Sequence, residues 1–287
     1  MKKLLMLRGL PASGKSTVAR EEVKRTGRAG RINRDDLRSM MFESVWTGKR
    51  EEVVVACEKA LARVLLDHDL LPIIDDTNLT ARHENLWRDV AKDKGAQVEL
   101  RDMGTLRETC ISRDQARVSG RIGQAVIDRM ALENRLIVWP DKPIVIFDMD
   151  GTLSDGRRRE HLIQGPGPKN WEAYFSRMRF DDPVEITTNW ARALSEDHTI
   201  CIVSGRPDTY QSQTIWWLEN YNIPFDFLFM RRNSDKRPDT QVKAEILSFM
   251  PKDRIAFAVD DRPSVIREVW RANGVKVYPA RGACEEF

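Results

Sequence analysis

Runs of apolar residues that end abruptly in charged residues or glycine recur along this chain. The clearest run, 143–147, is rich in β-branched and aromatic side chains, and Asp148, Asp150 and Gly151 follow it at once. This pattern predicts a buried strand that ends in a tight loop. Because open α/β sheets present ligands at the carboxyl ends of their strands, we expect both carboxylates at the mouth of a site.

Helical periodicity alternates with the other apolar runs, which predicts an α/β fold with two mainly parallel sheets flanked by helices. The predicted strands are 3–8, 31–32, 70–74, 97–101, 143–147, 199–203, 225–230 and 254–259. The predicted helices are 16–24, 49–67, 80–94, 126–136 and 240–250, with further helix starts near 33, 105 and 182. Thr80 is expected to cap its helix, Thr105 to open a capping box, and Asp182-Pro183 to begin a helix.

The length of 287 residues suits two domains that each bury a core of their own. Two prolines break the periodicity at 139–143, so we place a linker there between domains at 1–138 and 144–287. The stretch 154–181 is polar, basic and rich in glycine, which favours a cap insertion over the mouth of the second site. Because no internal repeat is present, the two halves are unlike modules.

The composition is typical of a soluble globular protein, with 41% hydrophobic and 32% charged residues. No apolar run approaches the roughly 18 residues that span a bilayer, and Leu4 to Leu7 is too short for a secretion signal. We therefore expect a cytoplasmic protein without a membrane partner. The net charge of +3 is too small to indicate nucleic-acid binding by itself. Neither a zinc site nor a disulfide framework is supported by the scattered cysteines, which are Cys57, Cys110, Cys201 and Cys284.

The first glycine-rich loop, 9–17, matches the pattern G-x-x-x-x-G-K-[ST] in full, between a predicted strand and a predicted helix. The backbone N–H groups of such a loop attract phosphate oxygens, its lysine reaches the β- and γ-phosphates, and its hydroxyl ligates Mg²⁺. We therefore assign Lys15 to the phosphates and Ser16 to the metal. The candidates for phosphate binding are Gly9, Ser13, Gly14, Lys15, Ser16 and Thr17.

Three further features of the first half are candidates for chemistry. Asp35 and Arg38 stand at i and i+3 of a predicted helix, which would set a base beside a guanidinium that can grip a phosphate. Asp75 and Asp76 follow a strand, which suggests metal support or contact with an acceptor, and Asp76 is the candidate for the acceptor contact. Arg113 and Arg117, at i and i+4, could form a lid over a transferring phosphoryl group. The ordinary alternatives are a solvated ion pair, a turn or cap, and a solvated basic face.

Carboxylates follow strands again in the second half. Asp148 and Asp150 follow one strand, and Asp260 and Asp261 follow the last one. Neighbouring carboxylates repel one another unless a cation joins them, which suggests Mg²⁺. A plain turn explains any one of these pairs, but it would have to recur at every strand end.

Donor and aromatic side chains accompany these carboxylates. Ser204 and Arg206 follow the 199–203 run, where the serine hydroxyl and the backbone N–H groups can hold a phosphate and the Arg206 guanidinium can recognise more of the acceptor. The predicted insertion contributes Trp171 and Phe175, which, with Tyr174, offer a surface for base stacking. A small cap also needs aromatic packing, and packing is the simpler interpretation of these rings.

The second half resembles the haloacid dehalogenase superfamily of phosphotransferases. The four motifs of this superfamily correspond, in order, to Asp148-x-Asp150-Gly-Thr, Ser204, Lys243 and Asp260-Asp261 of this chain. The resemblance implies a Rossmann-like fold with a small cap. It implies that Asp148 is a nucleophile that forms an aspartyl-phosphate, while Asp150 protonates the leaving oxygen and then activates water. By the same resemblance, Ser204 and Lys243 steady the phosphoryl group. The implied Mg²⁺ ligands are Asp148, Asp150, Asp260 and Asp261.

The two halves in this order resemble the bifunctional bacteriophage polynucleotide kinase-phosphatases over nearly the whole chain. The segments that carry this resemblance are 9–17, 32–38, 76–79, 145–153, 203–206 and 260–262. It implies a P-loop kinase fold in the first domain, with Asp35 as the base that takes a proton from a 5′-hydroxyl. It also implies that Arg38 grips the adjacent phosphate, and that Arg117 is the lid arginine, assisted by Arg113.

We therefore expect an end-healing enzyme that uses Mg²⁺. It would transfer the γ-phosphoryl group of ATP to 5′-hydroxyl ends of DNA or RNA, and remove a 3′-phosphate or a 2′,3′-cyclic phosphate. The expected partners are nucleic-acid ends, tRNA among them, and a ligase that acts downstream. The family implies self-association, and a phage-encoded protein would work in the host cytoplasm. The loops 41–48 and 157–169 are shorter than the family pattern, which bears on acceptor preference.

Two other functions remain open on sequence alone. One is a kinase of a small sugar or nucleoside fused to a phosphatase, and a requirement for a phosphate on the acceptor would distinguish it. The other is a nucleotide-gated nucleic-acid adaptor without turnover. The intact Lys15, Asp35, Asp148 and Asp150 argue against the adaptor, because a binding module has no need of a nucleophile. DNA and RNA are not separated, because phosphate and stacking contacts serve both.

Overall fold

The computed structural model describes residues 2–164 and 166–280, in which the chain forms two compact units that divide after Arg121. Cys284 therefore lies outside the described residues. The elements of the first unit are β1 (Lys2–Arg8), α1 (Lys15–Thr26), β2 (Ala29–Ile32), α2 (Arg34–Phe42), α3 (Gly48–Asp67), β3 (Leu71–Ile74), α4 (Ala81–Asp93), β4 (Ala96–Asp102) and α5 (Arg107–Gln115). Its four strands pair in parallel in the order β2-β3-β1-β4.

Strand β1 is buried on both faces of this sheet. Leu4 and Met6 pack with Trp87 of α4 on one face, and Leu5 packs with Ala19 of α1 on the other. Burial on both faces is typical of a parallel sheet, and it explains why the run is apolar throughout rather than alternating. The carboxyl ends of β1, β2 and β3 therefore meet at one edge, where the loops carry the polar candidates.

The second unit is built around a five-stranded parallel sheet with the order β11-β10-β5-β8-β9. Its elements are α6 (Gln124–Glu133), β5 (Ile144–Phe147), β6 (Ser154–Asp155), α7 (Arg157–Glu160), α8 (Trp171–Ser176), β7 (Asp182–Pro183), α9 (Glu185–Leu194), β8 (Thr199–Pro207), α10 (Gln211–Asn220), β9 (Phe227–Arg231), α11 (Asp239–Phe249), β10 (Ile255–Asp260), α12 (Pro263–Val265) and β11 (Val277–Pro279). A π-helical turn, Ile266–Trp270, follows α12. Across both described ranges, no helix has the length and apolar character that a bilayer crossing requires.

The central strand β5 is completely buried. Ile144 and Ile146 belong to the apolar cluster on one face, and Val145 and Phe147 belong to the cluster on the other. Hydrogen bonds to β8 and β10 hold β5 in the middle of the sheet. The loops after these three strands therefore meet at one edge, as the 143–147 run predicts.

Helix α6 packs in the second unit, although the predicted domain bounds put it in the first. The buried Asp128 carboxylate accepts the backbone N–H of Leu228 in β9 at 2.8 Å, and the backbone N–H of Ala125 donates to Gln211 at 3.1 Å. The compact units thus divide before this helix, whereas the predicted linker follows it. Periodicity identifies the helix, but it does not tell which sheet the apolar face covers. The functional bounds 1–138 and 144–287 stay a prediction.

Two local predictions are wrong. Asp182–Pro183 does not begin a helix but pairs with β6 as a short antiparallel strand, and α9 begins afterwards. Thr105 does not form a capping box, because its hydroxyl donates to the carbonyl of Ser13 at 2.9 Å. The predicted cap at Thr80 is confirmed, since its hydroxyl accepts the backbone N–H of His83.

The contact between Asp128 and β9 can be tested through stability. Asp128→Ala is expected to lower the free energy of unfolding of the second unit by about 1–3 kcal/mol, because it leaves the buried N–H of Leu228 without an acceptor. Denaturant unfolding followed by tryptophan fluorescence measures the change. Asp128→Asn keeps a side-chain oxygen and should lose less. Wild-type stability in Asp128→Ala would contradict the packing of α6 on this sheet.

Candidate active sites

The first candidate site lies where β1 ends and α1 begins. A Cβ atom on Gly9 would lie 2.7 Å from the hydroxyl of Ser13, and Gly14 has a φ of +100°, so this loop needs its glycines. The Lys15 ammonium donates to the carbonyls of Gly9 at 3.0 Å and Leu10 at 2.7 Å. Burial lowers the pKa of Lys15, because it disfavours the charged ammonium. A phosphate bound in the loop would favour the charged form.

Both predicted lid arginines lie beside this loop. Arg113 and Arg117 line the same cavity of about 750 Å³ as Lys15 and Ser16. Arg113 donates to the carbonyl of Ser13 at 3.2 Å, which ties α5 to the loop. Arg117 is 3.2 Å from the carboxylate of the nearby Asp114 and has a partly exposed side chain. Two guanidinium groups near the phosphate loop are suited to neutralise a transferring phosphoryl group.

Asp75, one of the two carboxylates that follow β3, lies beside Ser16 of the phosphate loop. Its side chain is buried and forms an ion pair with Arg31. Burial raises the pKa of Asp75, while the Arg31 guanidinium and the Ser16 hydroxyl oppose that rise. Its Oδ1 atom has no hydrogen-bond partner within the described residues, so an orphaned carboxylate oxygen lies near Ser16. This arrangement fits a divalent cation. The signal available in the sequence is its position directly after β3.

Asp76 contributes to the start of α2. It accepts the backbone N–H of Arg34 at 3.0 Å, and Arg34 also pairs with the fully buried Glu58 at 2.8 Å. Burial, assisted by Asp76, raises the pKa of Glu58 to about 9. Asp76 therefore fixes the helix that carries the predicted acceptor residues, and an acceptor contact of its own stays a prediction.

The predicted pair on α2 is present. The Asp35 carboxylate is 78% exposed and accepts a hydrogen bond from Arg38. Arg38 also donates to Glu51 of α3 through two nitrogens at 3.0 to 3.1 Å. An exposed base beside an anchored guanidinium is suited to receive a hydroxyl that neighbours a phosphate. The sequence does not identify Glu51 as a partner of Arg38, because the two residues are 13 positions apart and lie on different helices.

The second candidate site is organised around Lys243. Its fully buried ammonium is 2.9 Å from Asp148 and 2.8 Å from Asp260, which come from two neighbouring strands. The indole N–H of Trp270 donates to the same oxygen of Asp260 at 3.0 Å. Burial raises the pKa of Asp148, and the Lys243 charge opposes that rise. Lys243 thus lies among the carboxylates of this site, whereas the nearby Lys236 is exposed.

Three of the four predicted metal ligands come together. One carboxylate oxygen from each of Asp148, Asp260 and Asp261 lies within 4.8 Å of the others. A Cβ atom on Gly151, whose φ is +83°, would lie 1.9 Å from an oxygen of Asp261, so only glycine fits there. Oxygen ligands of this kind suit Mg²⁺. The structure does not bring the side chain of Asp150 into this cluster.

Asp150 is held by two buried arginines instead. Arg206 donates to its two oxygens at 2.6 Å and 3.0 Å, and Arg159 donates to one of them. Arg159 is held in turn by Asp181 at 2.9 and 3.0 Å. Burial acts to raise the pKa of Asp150, but Arg206 and Arg159 outweigh it and hold that pKa well below its ordinary value. The ionised carboxylate is therefore the resting form.

Ser204 and Arg206 both lie at the end of β8, but they differ in what they can do. Ser204 is buried, and its hydroxyl accepts the backbone N–H of Arg206 at 3.2 Å. Arg206 is fully buried against Asp150, so its guanidinium supports that carboxylate rather than offering itself to an acceptor as predicted. The sequence does not mark Arg159 or Asp181 as site residues, because the predicted cap stretch 154–181 that contains them shows only an excess of charged residues.

Comparison with known families assigns both halves. The family described as "Polynucleotide kinase PNKP phosphatase domain" matches residues 142–282, and the family described as "AAA domain" matches residues 4–134. The gap between the two matches overlaps the predicted linker.

Relatives match the chain along its whole length. A protein of Autographa californica nuclear polyhedrosis virus, whose name describes a bifunctional polynucleotide kinase/RNA ligase, is 25% identical over 317 aligned positions, which cover 100% of this chain. The chain spans 43% of the length of that relative. A solved Pnkp1/Rnl/Hen1 RNA repair complex contains a protein that is 25% identical, with 97% of this chain and 95% of that chain covered and a TM-score of 0.43. With the two families matched in this order, the chain is a member of the polynucleotide kinase-phosphatase family.

Proposed function

We propose that this chain repairs nucleic-acid ends with two separate active sites. The first unit would transfer the γ-phosphoryl group of ATP to a 5′-hydroxyl, and the second would remove a 3′-phosphate. The observation that carries this proposal is that Asp148 and Lys243 face each other at 2.9 Å at one sheet edge, while a full phosphate-binding loop ends β1 of the other sheet. A single phosphotransfer activity has no need of both.

In the kinase step, the residues of the first unit position the reactants. Lys15 and the loop N–H groups would hold the β- and γ-phosphates, and Arg113 and Arg117 would neutralise the charge that spreads over the transferring group. Asp35 would take the proton of the 5′-hydroxyl as the hydroxyl oxygen attacks the γ-phosphorus, and the bond from that phosphorus to the β-phosphate oxygen would break and release ADP. Arg38, anchored by Glu51, would grip the adjacent phosphate.

Each site has residues that fit a divalent cation, and we propose Mg²⁺. In the first unit, Ser16 and Asp75 would hold it, and in the second, Asp148, Asp260 and Asp261 would hold it. A bound cation would offset the charge of the phosphoryl oxygens.

In the phosphatase step, Asp148 would attack the phosphorus atom and the bond to the 3′-oxygen would break. Asp150 would give its proton to that oxygen, and would then take a proton from the water that hydrolyses the aspartyl-phosphate. Arg206 and Arg159 favour the ionised carboxylate, which the second half-reaction needs. The negative charge that a phosphate brings would favour protonation in the first half-reaction.

The products of both steps, a 5′-phosphate and a 3′-hydroxyl, are the ends that a ligase joins. The viral relative carries an RNA ligase in its name, which favours RNA ends, tRNA among them, and a ligase partner for this chain. Action on DNA ends, removal of a 2′,3′-cyclic phosphate and self-association belong to the same proposal.

One assay tests both activities. We expect purified protein, Mg²⁺ and labelled ATP to place label on the 5′ end of short DNA or RNA strands, and to release phosphate from their 3′ ends. Lys15→Ala should lose the first activity by at least about 100-fold and keep the second, and Asp148→Asn should do the reverse. Transfer to a free sugar or nucleoside, with none to either strand, would contradict the proposal.

The support of Asp150 by Arg159 gives a second test. Arg159→Ala is expected to lower kcat of the phosphatase by about 100-fold, because Asp150 loses a partner that fixes its position and charge. The 5′-kinase rate should stay at its wild-type value. Arg158→Ala is a matched control, because Arg158 is the next residue along the chain and its side chain is 74% exposed and pairs with Asp182. Equal rates for the two variants would show that Arg159 has no role in the reaction.

A further inference from the structure

A cavity of about 660 Å³ in the second unit is much larger than a phosphate group requires. Asp148 and Asp150 line it, so it is continuous with the proposed phosphatase site. Its volume falls within the range of sites that enclose small organic ligands. One part of its wall is aromatic, with Trp171, Tyr174, Phe175 and Tyr210. Another part is charged and contains Arg231, Lys236, Arg237 and Arg262 together with the carboxylates of Glu172, Asp235 and Asp239. A site for the phosphate alone leaves these walls without a function.

In the aromatic wall, Trp171 packs against Phe175 and Tyr174 but keeps about half of its surface exposed. Tyr174 is buried, and Phe175 lies between Trp171 and Tyr210, with ring centroids 5.8 Å and 5.2 Å apart. Trp171 remains 47% exposed and lies nearly parallel to Phe175, at 20°. The Lys169 ammonium is 5.7 Å from the Trp171 ring centroid and brings positive charge to the ring. A supported, half-exposed indole is suited to stack on a nucleobase.

The cationic wall contains one charge that is not already paired. Arg231, Arg237 and Arg262 all form ion pairs with carboxylates of the second unit. Lys236 is exposed, its ammonium donates to the carbonyl of Asn233 at 3.2 Å, and it has no carboxylate partner within the described residues. Lys236 is therefore the lysine of this cavity that is available to a backbone phosphate.

We propose that this cavity binds the unpaired terminal nucleotide of a 3′-phosphorylated strand, with its base on Trp171 and the next backbone phosphate at Lys236. The inference rests on the proposed phosphatase function and adds the recognition of the substrate to it. A base that enters the cavity to stack on Trp171 is separated from any partner strand, so a single-stranded 3′ end is the substrate. Stacking uses the face that every base has, so the site tolerates any terminal base.

The test compares Trp171→Ala with wild type on two 3′-phosphorylated oligonucleotides, one with a terminal base and one with a terminal abasic residue. For the strand with the base, KM is expected to rise about 10-fold in the variant, with kcat unchanged. Wild type should lose a similar factor when the base is removed, and Trp171→Ala should lose little more on that abasic strand. Trp171→Phe should restore part of the affinity. Trp216→Ala is the matched control, because Trp216 is 50% exposed and does not line the cavity.

Lys236→Gln should raise KM about 3-fold or more for a dinucleotide with a 3′-phosphate, but not for a nucleoside 3′-monophosphate, which lacks the second phosphate. Equal losses on the base-bearing and abasic strands would assign Trp171 to packing of the cap and overturn the inference. Wild-type KM in Trp171→Ala would overturn it as well. Failure of the proposed phosphatase function has a different signature, in which wild type hydrolyses p-nitrophenyl phosphate but no 3′-phosphorylated oligonucleotide.

Discussion

The second unit depends on the neutralisation of carboxylates that are buried together at the end of a parallel sheet. Asp148 and Asp260 are shielded from water, and an isolated carboxylate in such a place costs several kcal/mol. The fully buried ammonium of Lys243 lies within 2.9 Å of both, so one cation interacts with both carboxylates and offsets one of their two charges before any metal binds. Removing Lys243 would leave the pair uncompensated, so stability and chemistry share this residue.

The same constraint gives the neighbouring carboxylates different tasks. Asp150 lies two residues from Asp148, but its partners are Arg206 and Arg159 rather than Lys243. Because two guanidinium groups hold the Asp150 carboxylate, it keeps its orientation whether it is protonated or ionised. Asp148 instead has an oxygen close to those of Asp260 and Asp261, where a cation fits. In the first unit the buried charge is positive. Lys15 donates to carbonyls of the loop where phosphate would bind. Each candidate site thus contains a buried ammonium group, Lys15 or Lys243, that could interact with a phosphoryl group.

The sequence predicts the strand ends well, because a buried parallel strand is encoded by a continuous apolar run and the loop after it by glycine and carboxylates. It predicts the position of the glycine-rich loop 9–17 between β1 and α1, because that loop is formed by consecutive residues. It does not predict that Arg159 and Arg206 meet at Asp150, since those contacts span 9 and 56 residues and no spacing encodes them. The sequence also does not encode which sheet α6 packs against, because an apolar helix face fits either sheet.

The central claim is that Asp148 is the nucleophile of the second unit, with its charge balanced by Lys243. The most direct measurement is an acid quench of the reaction with an oligonucleotide that carries a radiolabelled 3′-phosphate, followed by peptide mapping. The account predicts a label on the peptide that contains Asp148, released by hydroxylamine as expected of an acyl phosphate and absent from Asp148→Asn. A label on another peptide, or undiminished phosphate release by Asp148→Asn, would contradict it.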